Sequence, residues 1–146
     1  GGGYRLAADI TTESEVHTIT IDKDTEGNQL EFTDFVMKIL SKTNASSHQM
    51  CQVNIAQGDV GHFMPSMFQS QSSSTSLNDN WWQCVWNSGL VVMSGRGNGG
   101  YMSIGNGVSS NYELITPNKK ITKISVSPAS AEINFLEGAK VKLYVR

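Results

Sequence analysis

Cysteine, histidine and charge are all scarce in this chain, and each scarcity removes a class of function. There are two cysteines and three histidines in 146 residues. Cys51 and Cys84 stand far apart, each in an apolar, strand-like setting, so they read as two buried thiols. They form no disulfide framework and their spacing is not that of a zinc site. His17, His48 and His62 are isolated in different regions, without the i,i+4 or metal-type spacing that would bring two imidazoles to one ion. Each is read as structural or exposed. There is no G-x-S-x-G elbow and no recognisable His partner for a serine or cysteine nucleophile, so no catalytic residue, metal ligand or cofactor is assigned.

Charged residues make up only 16% and the formal net charge is −2. Without a Lys/Arg run to compensate locally, the chain has no long-range attraction for nucleic acid or for an anionic membrane surface. No stretch approaches the eighteen or so apolar residues of a membrane-spanning helix and no signal segment opens the sequence, so a soluble domain without membrane insertion is expected. Gly1-Gly2-Gly3 is read as a linker or expression remnant, and residues 4–146 as one domain.

What is present is period two. From Ala139 to Arg146 apolar side chains hold the odd positions, while Lys140, Lys142, Tyr144 and Arg146 hold the even ones, the signature of a half-buried strand. Ile121–Ser127 alternates likewise until Pro128 stops it, and the two segments are expected to form one antiparallel unit turning at Glu137-Gly138. His17, Ile19 and Ile21 share a face before the polar turn 22–28. Leu30–Leu40 reads as one long strand, and Met50–Ile55 puts Cys51, Val53 and Ile55 on one side. From Gln57 to Asn80 the pattern dissolves into Gly, Ser, Gln, Asn and Met, which reads as a long surface loop. Trp81–Trp86 and Leu90–Met93 form a hairpin turning at Asn87-Ser88-Gly89. Tyr101–Ile104 and Tyr112–Ile115 are shorter strands. Many short strands and no amphipathic helix predict an all-β fold, an antiparallel two-sheet β-sandwich of jelly-roll-like form.

Two motifs fail on their context. Gly95-Arg96-Gly97-Asn98-Gly99-Gly100 satisfies G-x-G-x-x-G, but a dinucleotide site needs a helix next to hold the pyrophosphate, and Tyr101–Gly107 breaks at once into glycine. Asp22-x-Asp24-x-Glu26-Gly27 begins like a calcium loop, yet its twelfth position is Thr33, which cannot supply the bidentate carboxylate. It reads as a solvated turn.

The aromatic run is the most informative local feature. On a strand, Trp82, Cys84 and Trp86 face one way and Trp81, Gln83 and Val85 the other, so the three tryptophans cannot share one core. An exposed indole stacks on a sugar ring or anchors a protein partner. Trp81, Trp82 and Trp86, with Arg96, Asn98 and Tyr101 from the loop-rich segment that follows, are the candidate ligand-binding residues.

Two terminal blocks look familiar. Ile121-Thr122-Lys123-Ile124-Ser125-Val126, followed by Ile133-Asn134-Phe135-Leu136-Glu137-Gly138 and the strand 139–144, resembles the closing hairpin of β-sandwich domains in bacteriophage tail fibres and baseplates. Tyr4–Ile10, then Glu13–Asp22, a turn at Gly27 and Leu30-Glu31-Phe32 is similar to the opening of the same modules. The likeness covers about half the chain and omits the tryptophans. It implies a non-enzymatic structural or receptor-binding domain of the virion, attaching to bacterial cell-surface saccharide or to neighbouring tail proteins as a homo-oligomer, a trimer foremost. Rival readings are a carbohydrate-active enzyme or its accessory module, which predicts a carboxylate pair facing across a cleft about 5–9.5 Å apart, and an extracellular cell-surface adhesin. Ser94–Asn111 also resembles the hypervariable region of C-type-lectin-like domains, whose helices are not apparent here.

Overall fold

The computed structural model describes residues 3–77, 81–87, 90–97, 100–104 and 119–146. These form ten strands: β1 (Arg5–Thr11), β2 (Ile19–Ile21), β3 (Phe35–Leu40), β4 (Gln49–Gln57), β5 (Val60–Ser70), β6 (Trp82–Asn87), β7 (Leu90–Gly97), β8 (Gly100–Ile104), β9 (Lys123–Pro128) and β10 (Lys140–Val145). The strands pair antiparallel in two sheets, one of order β1-β10-β3-β6-β7-β8 and one of order β2-β9-β4-β5. The fold is an all-β sandwich. Among the described residues no helix is long and apolar enough to cross a membrane.

Alternation does what the sequence predicts in β10: Val141, Leu143 and Val145 are fully buried while Lys142 and Tyr144 are half-exposed. Its neighbours are a correction. β10 lies between β1 and β3, whereas β9 pairs with β2 and β4 in the other sheet. The expected C-terminal hairpin is therefore a crossover between sheets. Its connection is held by Phe135, whose amide donates to Val16 O and whose carbonyl accepts from Val16 N, while its ring is completely buried. Gly138, at φ 92°, turns the chain where a Cβ would be strained. Thr12 fastens that turn: its hydroxyl donates to Leu136 O and accepts from Ala139 N.

Two further expectations give way. Leu30 and Phe32 are buried, but only Phe35–Leu40 is strand, with Phe32 bridging Ile121 alone. The supposed loop 57–80 contains β5, eleven residues long. Its periodicity is hidden by a bulge. Val53 of β4 sits opposite Met64, but Cys51 sits opposite Phe68, so Pro65, Ser66 and Met67 face a single residue, Gln52. Ser66 takes φ 54° there, and the burial pattern shifts from His62 and Met64 to Met67, Phe68 and Ser70. A bulge and a proline also suit an edge strand, since both discourage pairing with another chain.

Between the sheets lies one core. Phe35 meets Phe32 edge-on at 6.0 Å and stacks on Trp86 at 6.1 Å. Cys51, Val53 and Ile55 enter from β4 as expected, and Trp82, Cys84 and Trp86 from β6. Full burial of each large apolar side chain contributes about 1.5–3 kcal/mol.

Candidate functional site

Burial sorts the tryptophans. Trp82 and Trp86 are each 2% exposed and belong to the core, which corrects their place among the ligand contacts: a ring with no open face cannot stack on a sugar. Phe35 stacks on Trp86 within that core. Trp81 is half-buried on the outward side, with the Lys142 ammonium 5.8 Å from its ring centroid. The β6–β7 hairpin closes as expected, Asn87 opposite Leu90. β7 and β8 pair so that Arg96 stands opposite Tyr101, bringing those two candidates together at one register position. Asn98 lies outside the described residues, as does the expected strand Tyr112–Ile115.

The remaining motifs are occupied structurally. The G-x-G-x-x-G stretch spans the β7–β8 pairing, with Gly97 opposite Gly100, and a strand follows it. Asp24 Oδ1 accepts from the amides of Glu26 and Asn28, both at 2.9 Å. The Asn28 amide foremost, then that of Glu26, holds its carboxyl below the ordinary range. His17 Nδ1 bonds the Ile133 carbonyl at 2.7 Å and His48 Nδ1 accepts from Ser72 N. Cys51 and Cys84 are free thiols, and burial pushes both up to about 12.

A surface feature that could hold a ligand lies elsewhere among the described residues, on the outer face of the four-stranded sheet. Because β2, β9, β4 and β5 are in register, Thr20, Ser125, Asn54 and Phe63 form one continuous row across it. Their neighbours in sequence, Ile19, Ile21, Ile124, Val126, Val53, Ile55, His62 and Met64, all point inward. The row is polar along three strands and ends on an aromatic ring that is 41% exposed. Beside it an open depression of about 480 Å³ is lined by Asn54, Ser125, Lys123, Asp59 and Phe63.

Its floor is braced from within. Buried His62 bonds Gln57 Oε1 at 3.0 Å, and Gln57 Nε2 donates to Lys119 O at 2.8 Å. At the β4–β5 turn, Gly58 N donates to Thr122 Oγ1 and Thr122 N to Ala56 O. The arrangement offers an amide, a hydroxyl, an ammonium and a carboxylate around one apolar ring: hydrogen-bonding groups for several hydroxyls and a platform for a C–H face. Sequence reasoning missed Phe63 because it lies in the segment whose alternation the Ser66 bulge conceals.

No protein-family model matches the sequence, and no curated protein matches it significantly. Among solved structures the chain is similar to the CBM2 module of the evolved Dit of Lactobacillus casei BL23 phage J-1, at 12% identity and TM-score 0.33, over 99% of this chain and 80% of that one. It is also similar to a functionally unknown protein from Saccharomyces cerevisiae, at 10% identity and TM-score 0.33, over 94% and 91%. Both likenesses are distant and assign no family.

Proposed function

We propose that this domain is a non-enzymatic saccharide-binding module, with the Phe63 depression as its sugar site. The observation that carries the reading is the register row ending on an exposed ring: Phe63 next to Asn54 and Ser125, with Lys123 and Asp59 closing the same open hollow. A shallow site of this kind suits the outermost sugars of a polymer. Among the described residues its lining carries one carboxylate, Asp59, whereas glycoside hydrolysis in most families uses two.

The N-terminal block, which resembles the opening of tail fibre and baseplate sandwiches, supports placing the module on a phage virion, attached to bacterial cell-surface saccharide; the C-terminal block is a crossover between sheets and not the closing hairpin it resembles in sequence. A weak site is sufficient in that setting, because a trimer presents three copies and multivalency adds on the order of 10²–10⁴ in avidity.

The test is a glycan array of bacterial surface polysaccharides probed with the parent chain and with Phe63→Ala. Binding by the parent, weakened about tenfold in the variant, is the expected result, since one stacked ring contributes roughly 1–1.5 kcal/mol. Equal binding by both proteins moves the sugar site away from this face.

A further inference from the structure

The Phe63 depression is open because the register row beside Phe63 is nearly bare. Two residues along the strands from Ser125, Asn54 and Phe63, the outward row is Lys123, Ala56 and Gly61. A methyl group and a hydrogen thus stand where two larger side chains would fill the hollow, and all three residues line it.

Nothing in the chain's own packing requires glycine at 61. It sits inside β5 in unbroken pairing, opposite Ala56 and between the pairs Val60–Gln57 and His62–Ile55. Its φ is not positive, unlike that of Gly27, Gly58 or Gly138, and a Cβ placed on it would meet nothing within 4 Å. Glycine weakens a strand interior; where no bulge or bend calls for it, it marks the close approach of another group. No described residue takes that space, which belongs to the hollow beside Phe63.

The walls carry one charge of each sign, Lys123 and Asp59. Neither lies within 4.0 Å of an opposite charge among the described residues, whose ion pair is Arg146 with Asp34.

We infer that the bare floor at Ala56 and Gly61 receives the acetamido group of an N-acetylated amino sugar, an inference that rests on the Phe63 depression being the sugar site. An acetamido group is neutral. It offers a methyl to the apolar floor, a carbonyl that accepts and an N–H that donates, while the walls supply a donor in Lys123 and an acceptor in Asp59. A uronate would bring a second carboxylate into the hollow with Asp59, and a free amino sugar a second ammonium with Lys123. An unsubstituted sugar leaves the floor empty.

The experiment is an array of bacterial surface polysaccharides printed untreated, O-deacetylated with mild alkali and N-deacetylated with strong alkali. It is probed with the parent chain, Gly61→Val, Gly61→Ala and Phe63→Ala. Parent binding should survive mild alkali, fall about tenfold or more on N-deacetylation, and return when the amines are re-acetylated with acetic anhydride. Gly61→Val fills the floor and should weaken binding to the N-acetylated polymers about tenfold. It should melt at or above the parent's temperature, because a β-branched residue replaces a strand glycine. Gly61→Ala adds one methyl to open space, so it should fold as the parent does and bind at an intermediate level. Raising salt from about 50 to about 500 mM should change parent binding by less than about twofold, since the group bound carries no charge.

Parent binding that survives N-deacetylation overturns the inference and leaves the Phe63 reading standing, as long as Phe63→Ala still binds more weakly. Undiminished binding by either Gly61 variant overturns it in the same way, and so does parent binding that collapses with salt. Phe63→Ala binding as tightly as the parent sinks the sugar-site reading and this inference with it, as does a parent that binds none of the three forms.

Discussion

The Trp82 indole lies against the backbone of Gly95: a Cβ at that glycine would fall 2.4 Å from Trp82 Cδ2 and 2.6 Å from Cγ. Those are rigid ring atoms in the core, so a side chain at 95 must displace the indole. The first glycine of the G-x-G-x-x-G stretch is thus explained by packing. Gly95→Ala is expected to cost about 1–3 kcal/mol as an overpacking change. Urea unfolding followed by tryptophan fluorescence checks it, and an unchanged midpoint would contradict the geometry.

Phe63 and Phe135 separate binding from stability. Phe135 is completely buried, so Phe135→Ala should cost about 3–5 kcal/mol. Phe63 is 41% exposed on the outer face, so Phe63→Ala should stay within about 1 kcal/mol of the parent. Paired denaturation curves provide the comparison and establish that any lost glycan binding is not lost folding.

Cys51 and Cys84 give a pH dependence. Burial raises both folded thiols to about 12 from an ordinary value of 9.0. A group raised in the folded state contributes stability that is present below its unfolded value and lost as pH rises. Stability should therefore fall between about pH 9 and 12, at up to roughly 1.4 kcal/mol per unit for each thiol. At pH 8 both should resist iodoacetamide in the folded protein and react once it is denatured. Cys51→Ala with Cys84→Ala should flatten the alkaline slope.

Reversing one charge on the outer face should stabilise it. Lys38→Glu places a carboxylate across from Lys142, and a cross-strand pair of opposite charge contributes about 0.2–1 kcal/mol. A higher melting temperature in a thermal denaturation curve is the expected outcome, and an unchanged or lower one would contradict the pairing.

Local pattern was enough for β10, for the Cys51–Ile55 face and for the β6–β7 hairpin, because period two and a turn dipeptide are encoded within ten residues. Strand partners were not legible. β9 and β10 both read as half-buried strands, and nothing local tells one that it joins the four-stranded sheet and the other the six-stranded one. The bulge at Ser66 hid β5 and with it Phe63. For Trp82 and Trp86 alternation gave the shared face, while the choice between core and solvent was made by β4, β5 and β9 on the far side of the sandwich.

The place of β10 between β1 and β3 also shapes how the chain folds. Thr12, just after β1, accepts its hydrogen bond from Ala139 across 127 positions, and among the described strands β1 pairs with β10 alone. Hairpins β4–β5, β6–β7 and β7–β8 can close early from local contacts, but β1 cannot pair until β10, at the far end of the sequence, reaches it. That late closure over a long loop makes folding slow for a domain of this size, and until it happens the free edge of β3 is the surface most open to pairing with the wrong chain.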